Sequence, residues 1–273
     1  MLFPIYPVSA ITVFLSVANA ACNYGTSAFP RLPQVAVSKF TYTGLTGPLN
    51  WYGLNKTANG MCAKGINQSP INIDTSKITI DKGSTLSLSI PAYPEGAEFE
   101  NRGTNVEVVV NGTLVDGGKT YSLAQFHFHT TSEHRVNHEY SLMEVHFVFE
   151  AADKSIAVVA FLIELGSTDP LLASVFAAIS EISSPGNATV TGPLDFWLLQ
   201  HQMTHNPVYR YKGSLTTPPC SEGVDWIIST KPLYIDPYTF KKVKDVVGFN
   251  ARYTQNELGQ INLLENAAEE LSA

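Results

Sequence analysis

The stretch Gln125-Phe126-His127-Phe128-His129 alternates polar and aromatic side chains, as a β-strand does when one of its faces packs into a core. On such a strand the glutamine and both histidines share one face. A second stretch, residues 143–150 (MEVHFVFE), alternates in the same way and places Glu144 and His146 on one face. Sixteen residues separate His129 from His146. This is enough for a turn and an antiparallel return that brings the two polar faces together.

Three imidazoles from two adjacent strands, with no fourth Cys, His or carboxylate in the pattern, are typical of a catalytic zinc site whose fourth position is open to water. Gln125 and Glu144 each lie two residues from one of these histidines on the same face. From there they can hydrogen-bond the ring nitrogens that do not bind the metal. Two alternatives stay open, because copper also accepts imidazole ligands and an isolated His-x-His pair commonly bonds to its sheet neighbours.

Strand patterns outnumber helix patterns along the rest of the chain. Alternating or continuous apolar runs predict further strands over 85–90, 105–110 and 156–165, and the last suits a central buried strand. The sequence contains no internal repeat and no Pro/Gly/Ser linker. We therefore predict a mainly β (α+β) protein, with one domain over 35–273, a large central, mostly antiparallel twisted sheet and peripheral helices.

Two helices are predicted from caps and apolar stripes. Thr168 and Asp169 are candidate caps for the first, and Asp236 is the cap of the second, with Pro237 in its first position and Gly248 as its stop. The stripes consist of Leu171, Leu172, Val175, Phe176 and Ile179 in the first helix and of Phe240, Val243 and Val247 in the second.

The charge balance and the N-terminus bear on partners and compartment. With 24 acidic against 17 basic residues among 273, we expect no nucleic-acid partner, since such binding needs clustered positive charge.

No charged residue precedes Arg31. An apolar stretch over 8–18, followed by Ala18-Asn19-Ala20, predicts a secretory signal peptide over 1–20, with a buried strand or membrane anchor as alternatives. We expect no stable membrane insertion and a secreted or extracellular/cell-wall location.

Cysteines and sequons agree with secretion. Cys22, Cys62 and Cys220 lack the spacing of a zinc finger or redox motif, so one disulfide and one leftover thiol are predicted. We prefer the pair Cys62–Cys220, because Cys22 would lie at the extreme mature N-terminus. Sequons that predict a glycoprotein begin at Asn55, Asn67, Asn111 and Asn187. The second of these is the weakest, because a proline follows it.

Residues 40–265 resemble the alpha-class carbonic anhydrases, and several motifs occur in the order of that family. They comprise Tyr42, Gly47-Pro48, Trp51, Asn67-Gln68-Ser69-Pro70-Ile71-Asn72-Ile73, Gln125 to His129, Ser132-Glu133-His134, Met143-Glu144-Val145-His146 and Gly213-Ser214-Leu215-Thr216-Thr217-Pro218-Pro219. The short gap between the histidine strands, and a cysteine directly after the last proline, resemble the secreted, bacterial-type branch. In that branch the cysteines at positions 62 and 220 are bridged.

The resemblance implies an enzyme that reversibly hydrates carbon dioxide to bicarbonate by attack of zinc-bound hydroxide, with Zn²⁺ held by His127, His129 and His146. It implies that Thr216 accepts a hydrogen bond from the hydroxide and donates one to an ionised Glu133. A hydroxyl that donates to a carboxylate can only accept from its other neighbour. Supporting positions are matched by Gln125, Glu144, His134, Tyr211, Asn250 and Arg252. Substrate-binding positions are matched by Thr216, Thr217, Val148, Val158, Leu215, Val224 and Trp226.

One departure from the family concerns proton release. In efficient members a histidine follows Asn-x-Gly, whereas here Asn101-Arg102-Gly103 is followed by Thr104, which does not titrate near neutral pH. Glu107, at another pocket-lining position, would with an ordinary pKa of about 4.3 be poorly matched to a proton relay at pH 7. We therefore predict slower proton release.

The expected partners are small molecules, namely carbon dioxide and bicarbonate, with sulfonamides or anions as inhibitors. Two other functions remain open on the sequence: a zinc esterase, and a non-catalytic carbonic-anhydrase-like binding module. Modules of the second kind typically lose zinc ligands, and this chain keeps all three. His138, His201 and His205 fall outside the motifs and are expected on the surface or in loops.

Overall fold

The computed structural model describes residues 35–272. The predicted signal peptide over 1–20 and Cys22 lie outside these residues. The strands are β1 (Asn72–Ile73), β2 (Thr79–Lys82), β3 (Ser87–Ser89), β4 (Glu98–Asn101), β5 (Val106–Val109), β6 (Thr113–Asp116), β7 (Lys119–His129), β8 (Arg135–Val136), β9 (Glu139–Tyr140), β10 (Met143–Ala151), β11 (Ile156–Leu165), β12 (Ala188–Val190), β13 (Pro207–Ser214), β14 (Glu222–Ser229) and β15 (Leu233–Ile235). The helices are α1 (Trp51–Leu54), α2 (Gly60–Lys64), α3 (Pro170–Phe176), α4 (Trp197–His205), α5 (Pro237–Val247) and α6 (Leu263–Ser272).

A large sheet contains twelve of the fifteen strands in the described residues. Its main path runs β12-β4-β5-β7-β10-β11-β14-β13-β2, and β6, β3 and β15 pair alongside. Most neighbours are antiparallel, and β11 pairs in parallel with β14 and β15. The predicted fold class, a large mostly antiparallel sheet with peripheral helices, is confirmed. The predicted strands are present, although the first is shortened to β3 because a 3₁₀ turn occupies Gly83–Thr85.

The two faces of the sheet have different partners. Phe126 on β7 and Phe147 on β10 stack at a centroid distance of 4.7 Å on the face covered by α3, α4 and α5. The opposite face carries the histidines and a smaller apolar cluster around Trp226. A register shift in the β7–β10 pairing, where Leu123 pairs with Phe149, lets the first half of β7 also face the helices.

Helices α3 and α5 form where they are predicted, although α3 ends at Phe176, so Ile179 of its predicted stripe lies in a 3₁₀ turn (Ile179–Ile182). In α5, the predicted cap Asp236 accepts hydrogen bonds from the amides of Tyr238 and Thr239 at 2.9 and 3.0 Å. In α3, Asp169 is the N-cap residue, as predicted, but its side chain makes no capping hydrogen bond. The carboxylate of Asp169 instead accepts the amide of Tyr234 at 2.6 Å, because the loop before α3 runs beside β15, and the hydroxyl of Thr168 donates to Asp236.

The predicted disulfide joins Cys62 in α2 to Cys220 after β13, across 158 residues of sequence. Both cysteines are fully buried, in a cluster with Phe40, Tyr42 and Trp51. Among the described helices, none is long and apolar enough to cross a bilayer.

We expect Asp236→Ala to lower the melting temperature by roughly 2–5 °C at pH 7, because two amides at the start of α5 lose their acceptor. Hydrogen bonds from Thr168, Thr239 and Tyr238 hold the pKa of Asp236 below its ordinary value. A carboxylate of this kind contributes stability above its unfolded pKa, so the difference from wild type should shrink as the pH falls below about 4. Thermal unfolding followed by circular dichroism at pH 7 and at a pH below about 4 measures the effect.

The control is Asp245→Ala in the same helix, whose carboxylate makes an exposed pair with Lys241. Exposed pairs contribute little, so this variant should change the melting temperature by no more than about 1 °C. Equal effects in the two variants would contradict the capping role.

Candidate metal centre

The pairing of β7 with β10 brings three histidines together. His127 lies opposite His146 in the antiparallel register, and His129 lies opposite Glu144. One ring nitrogen from each histidine lies within 4.8 Å of the other two, and the three side chains are at most 1% exposed. Nitrogens bound to one tetrahedral zinc ion lie about 3.3 Å apart, given bonds of about 2.0 Å. Small side-chain movements would therefore close the three rings on an ion.

The other nitrogen of each ring has an acceptor. His127 Nδ1 lies 2.9 Å from Gln125 Oε1, and His146 Nε2 lies 2.8 Å from Glu144 Oε1. His129 Nδ1 lies 2.8 Å from the backbone oxygen of Asn250. These acceptors place the ring proton on the outer nitrogen and leave the inner one bare. Consistent with this, Nε2 of His127 and of His129 is buried without a hydrogen-bond partner among the described residues.

Burial keeps the three rings neutral. It lowers the pKa of His127 well below the ordinary value, with His129 and His146 adding to the effect. It lowers the pKa of His129 to about 4 and also lowers that of His146, against the opposing influence of Glu144 on both. Neutral imidazoles are the form that binds a metal ion, so the donor set fits zinc.

Glu144 holds several parts of the site at once. Its Oε1 also lies 2.7 Å from His134 Nδ1, and its Oε2 accepts the amides of Glu133 and His134 at 2.8 and 2.9 Å. Although burial raises its pKa, the two histidines that it contacts lower it, and the net pKa lies well below the ordinary value. His134 Nε2 continues the network to the hydroxyl of Tyr211 at 2.6 Å. The carboxylate therefore orients His146 while being fixed by its own partners.

Glu133 and Thr216 lie beside the histidines. Glu133 is fully buried, its Oε1 accepts the amide of Arg252 at 2.8 Å, and its Oε2 lies 3.6 Å from His129 Nε2. Burial raises the pKa of Glu133 to about 7. The nearby His146, the Arg252 amide and a hydrogen bond from the Thr216 hydroxyl act in the opposite direction and lower it. A nearby divalent cation favours the charged form of such a carboxyl.

The residues expected to bind substrate surround the same face of the sheet. Five apolar side chains form one buried cluster there: Val148, Val158, Leu215, Val224 and Trp226. The Trp226 ring lies 4.9 Å from that of His146, measured between centroids, and its Nε1 donates to the backbone oxygen of Ser214. Thr216 and Thr217 are each 3% exposed. Alternation along a strand does not separate a pocket wall of this kind from ordinary core.

Two residues of the expected proton route are buried. Thr104 is 6% exposed, its hydroxyl lies 2.8 Å from that of Ser38, and its carbonyl accepts from the Asn250 amide group. Glu107 pairs with His127 in the β5–β7 register and is 2% exposed. Burial raises its pKa to about 8, opposed by Arg102. The ordinary pKa expected for Glu107 from the sequence is therefore wrong, because burial was not visible in the pattern.

The C-terminal segment contributes contacts that the sequence pattern does not reveal. The backbone oxygen of Asn250 orients His129, while its side chain accepts the Thr130 amide at 2.7 Å. The guanidinium of Arg252, 1% exposed, donates to the carbonyls of Ser69 and Cys62. The resemblance pointed to both residues as braces. A backbone carbonyl, however, leaves no signal in side-chain spacing.

The fold and the site together define a large-sheet protein with a buried three-histidine candidate metal centre. The family model for eukaryotic-type carbonic anhydrase matches residues 46–266. The carbonic anhydrase of Neisseria gonorrhoeae is 34% identical over 211 residues, which cover 76% of this chain and 80% of that protein. The chain belongs to the eukaryotic-type, or alpha, carbonic anhydrase family.

Solved structures agree with this assignment. The fungal alpha carbonic anhydrase of Aspergillus oryzae superposes with a TM-score of 0.82 and 52% identity, covering 85% of this chain and all 100% of that one. The alpha carbonic anhydrase of Thermovibrio ammonificans, solved with the inhibitor sulfanilamide, gives a TM-score of 0.74 and 32% identity, covering 82% of this chain and 98% of that one.

We expect Glu144→Gln to weaken zinc affinity by about 10- to 100-fold, because the amide no longer fixes the proton on the outer nitrogen of His146. Competition with a chromophoric zinc chelator measures the affinity. The matched control is Glu150→Gln on the same strand, whose carboxylate pairs with exposed Lys154 and should not change it. An unchanged affinity in a folded Glu144→Gln protein would contradict the orienting role.

Proposed function

We propose that this carbonic anhydrase catalyses the zinc-dependent, reversible hydration of carbon dioxide to bicarbonate and a proton. The proposal rests on the convergence of three buried imidazole nitrogens, from His127, His129 and His146, of which Nε2 of His127 and of His129 have no hydrogen-bond partner among the described residues. When bound there, zinc supplies the Lewis acidity that makes water a nucleophile near neutral pH. The family assignment supports the same reaction.

Thr216 and Glu133 orient the attacking water in this proposal. The Thr216 hydroxyl donates to the Glu133 carboxylate, so it can only accept from the water, which directs a lone pair of the water at the substrate. Glu133 is suited to this task because the Arg252 amide fixes its Oε1 and burial keeps bulk solvent away. Glu144 adds support by accepting the Glu133 amide.

The apolar wall selects an uncharged, linear substrate. Carbon dioxide has no donor to satisfy, so Val148, Val158, Leu215 and Trp226 can hold it beside the histidines without leaving a polar group unpaired. The Thr217 position lies next to this wall and completes the substrate site. We extend to this protein the sulfonamide inhibition that the sulfanilamide complex of the Thermovibrio enzyme exemplifies.

We expect zinc-loaded protein to hydrate carbon dioxide in a stopped-flow assay, and chelation to abolish the activity until zinc is returned. His146→Ala should lower kcat/KM by at least about 100-fold, because a ligand with its own buried acceptor is lost. His138→Asn, which removes an exposed histidine at a positive φ of 75° that asparagine tolerates, is the control and should leave the rate unchanged. Metal analysis accompanies each assay.

Fully zinc-loaded protein without hydration activity would overturn the proposal. Ester hydrolysis in that protein would favour a zinc esterase, and no catalysis of either kind would favour a non-catalytic binding module. Copper as the native metal would overturn the zinc assignment alone.

We further propose that proton release limits turnover. Thr104 carries no titratable group, and its hydroxyl is engaged with Ser38. Glu107 is 2% exposed, so its carboxyl has almost no contact with bulk solvent. A small buffer that enters the pocket would therefore supply the missing carrier.

We expect imidazole buffer to raise kcat severalfold, whereas a bulky buffer of similar pKa should not, because it cannot enter the pocket. Thr104→His should raise kcat in the absence of imidazole, and Thr104→Val, which removes the hydroxyl without adding a titratable group, serves as its control. Stopped-flow hydration in both buffers measures the effect. A wild-type rate indifferent to imidazole would show that proton release is not limiting.

We also propose that the protein is secreted to the extracellular or cell-wall space and glycosylated. The buried disulfide supports an oxidising compartment. Asn55, Asn111 and Asn187 are exposed and suited to carry glycans. Asn67 is less suited, because the hydroxyl of its sequon residue Ser69 is buried against Tyr211.

A further inference from the structure

We propose that His201 and His205 on α4 form a second, exchangeable binding site for a divalent transition-metal ion, separate from the three-histidine centre. The two residues are one helical turn apart and both are exposed. Their rings stack at 3.8 Å between centroids with an interplanar angle of 11°. The reaction described above uses neither of them.

The spacing is the first argument for the site. Side chains at positions i and i+4 project from one face of a helix, and two histidines at this spacing can bind one metal ion together. Two nitrogens in adjacent coordination positions at about 2.0 Å from an ion lie about 3 Å apart. The two rings lie 3.8 Å apart between centroids, and because both are exposed they have room to tilt toward a shared ion.

The protonation of His205 is the second argument. Its Nδ1 lies 2.9 Å from the backbone oxygen of His201, and a carbonyl oxygen can only accept. The proton of the neutral ring therefore lies on Nδ1, and Nε2 is left with a bare lone pair. In the three-histidine centre, each ring likewise has an acceptor beside its outer nitrogen, which leaves the other nitrogen bare. At His205 the bare nitrogen belongs to an exposed ring.

The location keeps this site independent of catalysis. Helix α4 packs on the sheet through Leu199 and Met203, which join the cluster that contains Phe126 and Phe128. Those phenylalanines lie on the face of β7 opposite to His127 and His129. The sheet therefore separates the two candidate metal sites.

The ligand is a borderline ion that accepts imidazole nitrogen. Two neutral nitrogens, with water completing the coordination, bind Cu²⁺ and Ni²⁺ more strongly than Mn²⁺ or Fe²⁺. Hard ions such as Mg²⁺ and Ca²⁺ prefer oxygen and are not expected. An open site with only two protein ligands exchanges its ion readily.

Trp197 provides a local reporter. Its ring lies 5.3 Å from that of His201, and it is 61% exposed, whereas Trp51 and Trp226 are buried. Paramagnetic Ni²⁺ bound to His201 should quench the fluorescence of Trp197. The Trp197→Phe variant should keep the binding and lose most of the quenching.

The test is calorimetric and fluorescence titration of zinc-loaded protein with Ni²⁺. We expect one added equivalent, bound at least about tenfold more weakly in His201→Gln and in His205→Gln, since each variant loses the chelate. The control is His138→Asn, which removes an exposed histidine at a positive φ of 75° that asparagine tolerates, and it should bind as wild type does. The thermal unfolding transition, followed by circular dichroism, should be unchanged in all of these variants, which confirms that they are folded.

No Ni²⁺ binding by the zinc-loaded wild type would overturn the proposal. So would binding that persists in the His201→Gln/His205→Gln double variant, or that is lost equally in His138→Asn. These outcomes do not depend on whether the three-histidine centre performs the proposed reaction.

Discussion

The register between β7 and β10 is the constraint on which the rest of the site depends. It pairs His127 with His146, and it sets the aromatic residues of both strands against the helices. A slip of one residue would turn the histidines toward the apolar core and the phenylalanines toward the face that now carries the histidines. The stacking of Phe126 on Phe147 therefore stabilises the core, and it also keeps the imidazoles together on the opposite face of the sheet.

Around this register lies a layer of fixed acceptors, each of which aims one ring. They differ in chemistry: an amide oxygen from Gln125, a carboxylate from Glu144 and a backbone oxygen from Asn250. Glu144 is in turn held by the backbone amides of Glu133 and His134. This arrangement fixes the orientation of three neutral rings that lie close together in a buried place. Each ring has one hydrogen bond directed away from the others.

Much of this could be predicted from the alternation around His127 and His146, because a strand's period of two decides which side chains share a face. The pattern could not predict where sheet geometry breaks that period, as the register shift near Leu123 does. It also could not assign the loop before α3, where Asp169 bonds to β15, since the competing amide belongs to a distant strand. Glu107 shows the same limit, because its pKa depends on burial between β4 and β7 and not on its neighbours in sequence.

The contacts of Asn250 and Arg252 also constrain biosynthesis. The first orients a histidine and the second fixes Glu133, yet both residues follow α5, far along the chain from β7 and β10. A nascent polypeptide that has passed β10 holds all three histidines but not the carbonyl and the amide that complete their surroundings. The surroundings of the three histidines can therefore be completed only after the segment that follows α5 has been synthesised and has packed against β7.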